Sequence, residues 1–183
     1  MGGGPIGNLR RMRVLVADSQ RMLVDGLHSA FTSQPDIRAV QTVCSVAELA
    51  DLVASFAPTV AVVDWRLPGG GGRQGVSVVR ACFPLCRVLV LADLDDAASV
   101  AEALGLGCDG FITRDRGLDE LLAAVRSTRD GEPALSPAAA SNLARAHRDR
   151  DPDPAPRLSG RELEIVGFLA RGMTNREIAD ELY

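Results

Sequence analysis

Short apolar runs alternate with amphipathic stretches over about the first 130 residues of the chain. Three of the runs are almost continuous in Val, Leu and Ala, which is typical of parallel strands covered on both faces. The second run alternates apolar and polar residues and therefore predicts a strand nearer the edge of the sheet. The five predicted strands are Arg13–Ala17, Ile37–Val43, Thr59–Asp64, Arg87–Ala92 and Asp109–Thr113.

The segments between these strands have the apolar period of a helix. Helices are predicted over residues 20–33, 45–56, 75–83, 96–105 and 117–130, the second of them opening with a Ser45–Glu48 capping box. Five strand–helix cycles predict an α/β fold with a five-stranded parallel sheet and helices on both faces.

The composition changes after Gly131. Ser136 and Pro137 begin a short Ala-rich helix that extends to about His147, and the three prolines of Asp149–Pro156 predict an extended linker. Two further capping boxes, Ser159–Glu162 and Thr174–Glu177, each open an amphipathic helix, a helix-turn-helix pattern. The predicted organisation is a poorly ordered N-terminus over 1–12, a domain over 13–132, a linker with a short helix over 133–157, and part of a helix-turn-helix domain over 158–183.

Charge and composition exclude several classes of protein. The formal net charge is −4, so the chain does not coat nucleic acid nonspecifically, and all 20 basic residues are Arg. No apolar run approaches the roughly 20 residues that span a bilayer, so we expect a cytoplasmic protein without a membrane partner. Its four cysteines lack Cys-x-x-Cys spacing, which favours small buried residues over a zinc site.

Two carboxylates mark the candidate site. Asp64 ends the most apolar strand and Asp18 follows the first strand, so both lie at the carboxyl edge of the sheet, where ligands bind in parallel α/β folds. Neighbouring carboxylates repel each other, and a divalent cation such as Mg²⁺ relieves that repulsion. The alternative is that both residues only cap the loops that follow the strands.

Several stretches of the chain resemble a known family. Val14–Asp18, Val62–Gly69, Val88–Leu91 and Gly110–Asp115 resemble the receiver domain of two-component response regulators, and Leu158–Val166 with Gly172–Ala179 is similar to the opening of LuxR-type DNA-binding domains. In this order they resemble a response regulator of the NarL/FixJ type. The resemblance implies a flavodoxin-like receiver followed by a linker and the first helices of an all-α helix-turn-helix domain.

Three positions depart from the receiver pattern. The family's first strand ends in two acidic residues, whereas this chain has Asp18 and Ser19. The hydroxyl residue that ends the family's fourth strand is replaced by Ala92, and the lysine after the fifth strand by Arg114. By resemblance, Asp64 occupies the phosphoacceptor position, and Asp18 and Asp64 are the remaining metal ligands, which implies weak Mg²⁺ binding at best.

The departures predict an atypical receiver that is regulated independently of phosphorylation. A conventional pocket remains the alternative, with Asp93, Asp109 or a backbone carbonyl supplying the missing magnesium ligand. By resemblance, Phe111 occupies the position of the aromatic switch, and simple core packing is the alternative. Gly69–Gly72 predicts a flexible insertion after Asp64, and it lacks the Gly-Lys-Ser/Thr ending of a nucleotide-binding loop.

The resemblance implies a DNA-binding transcriptional regulator that is not an enzyme and that acts as a homodimer. In place of phosphorylation we expect either a constitutive dimer through a receiver helix or a small ligand in the acidic pocket. A histidine kinase is the expected input if the pocket is conventional, and a protein-interaction module without DNA binding is the other alternative. Thr174 and Arg176 are candidate phosphate contacts, together with Arg161 and Arg171, or else solvated surface residues. The base-reading helix is expected beyond Tyr183, so this chain is predicted to be C-terminally truncated and to bind DNA poorly by itself.

Overall fold

The computed structural model describes residues 12–94, 96–148 and 159–182. Most of the predicted N-terminal segment and the proline-rich linker lie outside these ranges, but Met12 is buried at the start of the first strand. The strands are β1 (Met12–Ala17), β2 (Ile37–Val43), β3 (Val60–Asp64), β4 (Arg87–Ala92), β5 (Gly110–Thr113) and β6 (Ala134–Leu135). The helices are α1 (Arg21–Thr32), α2 (Val46–Phe56), α3 (Gly71–Cys82), α4 (Ala97–Gly105), α5 (Leu118–Asp130), α6 (Pro137–Arg148), α7 (Gly160–Ala170) and α8 (Asn175–Leu182).

The sheet is parallel throughout, with the strand order β2-β1-β3-β4-β5-β6. The alternating second strand lies at an edge, as predicted. The prediction of five strands was wrong, because a two-residue sixth strand pairs with β5. After α5 the chain reverses at Gly131, which has a positive φ of 83°, and returns against Gly110. A Cβ on Gly110 would lie 2.9 Å from both the Cβ and the carbonyl oxygen of Ala134, so glycine permits this close pairing.

Helices cover both faces of the sheet, which confirms the predicted layer arrangement. Alternate residues of each strand point to opposite faces. Val63 and Val90 pack with α2, α3 and α4, whereas Val62 and Leu89 pack with α1 and α5. The carboxyl edge of the sheet is therefore framed by a rigid, close-packed core.

Helix α3 begins four residues earlier than predicted. The glycine run was expected to form a flexible loop, but Gly71 and Gly72 belong to the first turn of the helix. The amide of Gly72 donates a hydrogen bond to the carbonyl oxygen of Trp65 at 2.8 Å. A Cβ on Gly72 would come within 2.5 Å of the Trp65 ring, so the absence of a side chain allows this turn to pack directly on Trp65.

Helix α6 lies between the receiver-like half and the last two helices. Ala139 of α6 and Val166 of α7 belong to the same buried cluster as the α4 face of the sheet. Ala140, Leu169 and Ile178 form a second small cluster between α6, α7 and α8. The Ser159–Glu162 capping box is confirmed at the start of α7. Helices α7 and α8 therefore pack against the rest of the molecule through α6.

The environment of the cysteines differs from the prediction in part. Cys86 and Cys108 are buried, and burial raises the pKa of both thiols to about 12. Cys82, however, is exposed at the end of α3, and Cys44 is half-buried. None of the helices in the described ranges combines the length and the apolar character needed to cross a bilayer.

Candidate functional site

Three carboxylates meet where β1, β3 and β4 end. Asp18 follows β1, Asp64 is the last residue of β3, and Asp93 follows β4. Asp18 Oδ1 accepts a hydrogen bond from the Gln20 amide at 2.8 Å, and Asp64 Oδ1 accepts one from the Arg66 amide at 3.0 Å. The loops that leave the strands thereby hold both carboxylates in place, but loop capping is not the only role of these residues, because both also pair with Arg114.

The guanidinium of Arg114 lies among all three carboxylates. Its Nη1 is 2.6 Å from Asp18 Oδ2, its Nη2 is 2.7 Å from Asp64 Oδ1, and its Nε is 3.0 Å from Asp93 Oδ1. The Arg114 amide also donates to the carbonyl oxygen of Ala92 at 2.8 Å. This hydrogen bond fixes the backbone from which the Arg114 side chain extends. Because guanidinium is planar and carries donors in several directions, one side chain bridges three strand ends.

The site is largely shielded from solvent. The side chains of Asp18 and Asp64 are 1% and 4% exposed, and that of Arg114 is 15% exposed. Burial raises the pKa of Asp18, and the hydrogen bond from Gln20 and the neighbouring guanidinium oppose this shift without cancelling it. Burial by itself acts to lower the pKa of Arg114, but contact with Asp18 and Asp64 outweighs it and raises that pKa. Arg114 is therefore a permanent internal cation.

Comparison with known proteins decides the family. The model of the response regulator receiver domain family matches residues 14–126. The chain belongs to the response regulators. It is 32% identical over 173 residues to the probable transcriptional regulatory protein NarL of Mycobacterium tuberculosis, in a match that covers 94% of this chain and 80% of that protein.

Solved structures show the same fold. A two-component response regulator of the LuxR family from Aurantimonas sp. superposes with a TM-score of 0.70 at 23% identity, covering 75% of this chain and 99% of that one. A structure of two RcsB dimers bound to two parallel DNAs superposes with a TM-score of 0.69 at 21% identity, covering 94% of this chain and 83% of that one. This second match covers more of the chain than residues 14–126, which the receiver family model matches.

The other predicted pocket residues of this response regulator occupy different settings. Ser19 is exposed, and its side chain makes no hydrogen bond to any residue in the described part of the chain. Ala92 is buried at the end of β4 beside Arg114. Phe111 is fully buried and packs edge-on against Trp65, with the ring centroids 6.4 Å apart. The core-packing interpretation of Phe111 thus agrees with its position, and its role as a switch stays a prediction.

The receiver pocket does not fit a magnesium ion. Both carboxylates that would ligate it already contact the Arg114 guanidinium, through Asp18 Oδ2 and Asp64 Oδ1. A hard dication prefers six or more oxygen ligands, and here it would meet a positive charge instead. Within the described ranges, no cluster of His, Cys, Asp or Glu is arranged to hold a metal ion.

Two acidic residues that were predicted as alternative magnesium ligands have other roles in the structure. Asp109, a candidate replacement ligand, lies at the opposite end of the sheet, where Arg80 and Arg87 bind it. Asp93 does join the pocket, but as an ion-pair partner of Arg114 and of Arg66, whose Nη1 is 3.1 Å away. A signal for Asp93 was present in the sequence, because it follows β4 as Asp18 follows β1.

The predicted phosphate contacts lie on α7 and α8. Both the amide and the hydroxyl of Thr174 donate to the Glu177 carboxylate at 2.8 Å, and Thr174 Oγ1 accepts from the Glu177 amide at 3.4 Å, so Thr174 caps its helix. Arg176 is exposed, Arg161 pairs with Glu164, and Arg171 lies over the Phe168 ring at 4.6 Å. Contact of any of these residues with DNA stays a prediction.

Proposed function

We propose that this response regulator is a DNA-binding transcriptional regulator whose receiver works without phosphorylation of Asp64. The observation that carries the proposal is the Arg114 guanidinium, which lies 2.7 Å from the carboxylate that would accept the phosphoryl group. It also lies 2.6 Å from the other buried carboxylate of the pocket, Asp18.

Electrostatics support this proposal. Phosphoryl transfer to a carboxylate needs a metal ion to neutralise the developing charge. Two like unit charges 4 Å apart repel each other by about 4 kcal/mol at the effective dielectric constant of about 20 that suits protein sites. A dication at that distance from the Arg114 guanidinium would be repelled twice as strongly as a monovalent cation. Displacing Arg114 instead would leave the carboxylates without their internal partner. Both routes oppose binding of the magnesium ion that phosphoryl transfer to Asp64 needs.

The transcriptional half of the proposal is supported by the relatives. The NarL relative from Mycobacterium tuberculosis is a probable transcriptional regulatory protein, and the RcsB neighbour was solved as dimers on DNA. Two short helices with well-formed caps, α7 and α8, occupy the position of a helix-turn-helix unit after the receiver. We infer that the protein binds promoter DNA as a homodimer, and that its signal is a ligand rather than a histidine kinase.

The experiment is intact-mass measurement after incubation with Mg²⁺ and acetyl phosphate. The wild-type protein is expected to gain no phosphoryl group. The matched control restores the family pattern with Ser19→Asp, Ala92→Thr and Arg114→Lys together, and we expect this variant to gain one phosphoryl group that is lost when Asp64→Ala is added. An adduct on the wild-type protein that Asp64→Ala removes would refute the proposal and favour a conventional phosphorelay regulator.

Occupancy on the chromosome tests the second half. Chromatin immunoprecipitation of the native protein is expected to give discrete peaks that persist unchanged in an Asp64→Asn variant, because the proposed regulation does not use that carboxylate. Absence of peaks in both strains would instead favour an interaction module that does not bind DNA. Peaks that vanish in Asp64→Asn alone would favour regulation through phosphorylation.

A further inference from the structure

A cavity of about 510 Å³ lies between the receiver and helices α7 and α8. This volume is in the range of roughly 300–1,000 Å³ that small-molecule sites occupy, and such sites are common where two structural units meet. We propose that the cavity binds a small amphiphilic anion, a molecule with an apolar body and one acidic group. The proposal concerns binding at this cavity alone and does not rest on the state of Asp64.

Apolar side chains from both halves of the molecule form the walls. Phe111 and Ala124 contribute from the receiver, Leu135 from β6, and Leu169 and Met173 from the other side. Leu169 is buried, and Leu135 and Met173 pack around the small cluster that holds α6, α7 and α8 together. A ligand with an apolar body would remove this surface from water and would contact both halves at once.

Arg116 supplies an inward-facing cation. Its side chain is 31% exposed, and its Nε is buried without a hydrogen-bond acceptor. The nearest carboxylate, that of Glu120, also lines the cavity; it lies 3.5 Å from Nη1 and is 60% exposed, so the pair is loose and partly screened by solvent. The exposed part of the guanidinium side chain lines the cavity, where an acidic group of a ligand would form a charge-assisted hydrogen bond with it.

Arg176 supplies a second cation from the opposite wall. It lies in the first turn of α8 and has no hydrogen bond or ion pair to any residue in the ranges that the structure describes. Glu132 also lines the cavity, but it already has a partner. The unpaired hydrogen-bonding capacity of the cavity is therefore cationic, which favours an anionic ligand over a cationic one.

Fluorescence titration of the full chain with 8-anilinonaphthalene-1-sulfonate tests the assignment. The probe has an aromatic body and a sulfonate, and we expect saturable binding at one site. Ala123 lines the cavity from the exposed side of α5, so Ala123→Trp fills the cavity without disturbing the core. This variant is expected to weaken binding by about tenfold or more, the equivalent of about 1.4 kcal/mol. Ala98→Trp, at an exposed alanine of α4 outside the cavity, is the matched control and should bind like the wild type.

The charge of the ligand is tested separately with neutral N-phenyl-1-naphthylamine. Arg176→Gln, at an exposed position that does not support the fold, is expected to weaken the sulfonate probe about fivefold, as loss of a charge-assisted contact would, and to leave the neutral probe unchanged. Equal affinity of Ala123→Trp and the wild type would refute the site. Equal weakening of both probes by Arg176→Gln, or no effect of Arg176→Gln on the sulfonate probe, would refute the anionic ligand. All of these outcomes are independent of whether Asp64 accepts a phosphoryl group.

Discussion

Removal of the internal cation by Arg114→Ala is the most informative perturbation of the pocket. It leaves Asp18 and Asp64, whose side chains are 1% and 4% exposed, without their shared partner. Loss of one member of a buried ion pair destabilises a protein by about 3–5 kcal/mol, because the remaining charge stays desolvated. We expect that loss in the free energy of unfolding, measured by urea denaturation at pH 7.5.

The same variant should acquire a response to magnesium. With the guanidinium gone, the two carboxylates are free to ligate a dication, and 10 mM Mg²⁺ at a dissociation constant of about 1 mM would restore about 1.4 kcal/mol. The wild-type protein is expected to show no such gain. The deficit should also shrink as the pH falls, because the pKa of Asp18 is already raised by burial and losing Arg114 raises it further. Protonation then stabilises the folded variant progressively as the pH approaches that raised value.

Arg66→Ala is the matched control for Arg114→Ala. Arg66 also pairs with a carboxylate of the pocket, that of Asp93, but its side chain is 72% exposed. Exposed ion pairs contribute roughly 0–1 kcal/mol, so this variant should be nearly neutral. Equal losses in the two variants, or a loss below about 1 kcal/mol for Arg114→Ala, would contradict the reasoning that Arg114 balances buried charge. A magnesium response of the wild type as large as that of the variant would contradict it as well.

Two further predictions concern stability. Gly26 and Gly72 both lie in helices, but a Cβ meets nothing within 4 Å at Gly26 and comes within 2.5 Å of the Trp65 ring at Gly72. Thermal unfolding should therefore show Gly26→Ala stabilised by about 0.5–1 kcal/mol and Gly72→Ala destabilised by about 1–3 kcal/mol; the same sign for both would contradict this. The hydrogen bonds from Arg126 lower the pKa of Asp36 below its ordinary value of 3.8. The stability advantage of the wild type over Asp36→Asn should then be full above pH 3.8 and decline below it in urea titrations, whereas a pH-independent difference would rule out this linkage.

The strands and helices of the receiver were predictable because the pattern of apolar and polar residues along each of them is clear. Central strands buried on both faces are continuous apolar runs, and the helix caps at Ser45 and Ser159 follow a short local pattern. The sixth strand was not predictable, since it has only two residues, Ala134 and Leu135, and depends on the missing side chain of Gly110. The early start of α3 was not predicted for a similar reason. A run of glycines in the sequence predicts a flexible loop, and only the structure shows that Gly72 packs on Trp65.

The meeting of the carboxylates was predictable, whereas the partner they share was not. Parallel strands bring their carboxyl ends to one edge, so the positions of Asp18 and Asp64 in the sequence already place them together. The positions of the strand ends do not determine how the long side chain of Arg114, which follows β5, is oriented. The sequence indicated an arginine where the family has lysine, and repulsion between the two carboxylates suggested a metal ion. The structure resolves the same repulsion with Arg114.

Charge balance explains why the departures from the receiver pattern occur together. A pocket with three acidic residues and one lysine carries a net charge of −2, which a dication neutralises. Here Ser19 removes one carboxylate, so Asp18 and Asp64 face the positive charge of Arg114 and retain −1 between them, while the third carboxylate, that of Asp93, is balanced by Arg66. A guanidinium bridges two oxygens where a lysine ammonium is a point charge, and so it can take over the positioning role of the metal. Ala92, without a hydroxyl, fits a pocket that has no phosphoryl oxygen to bind.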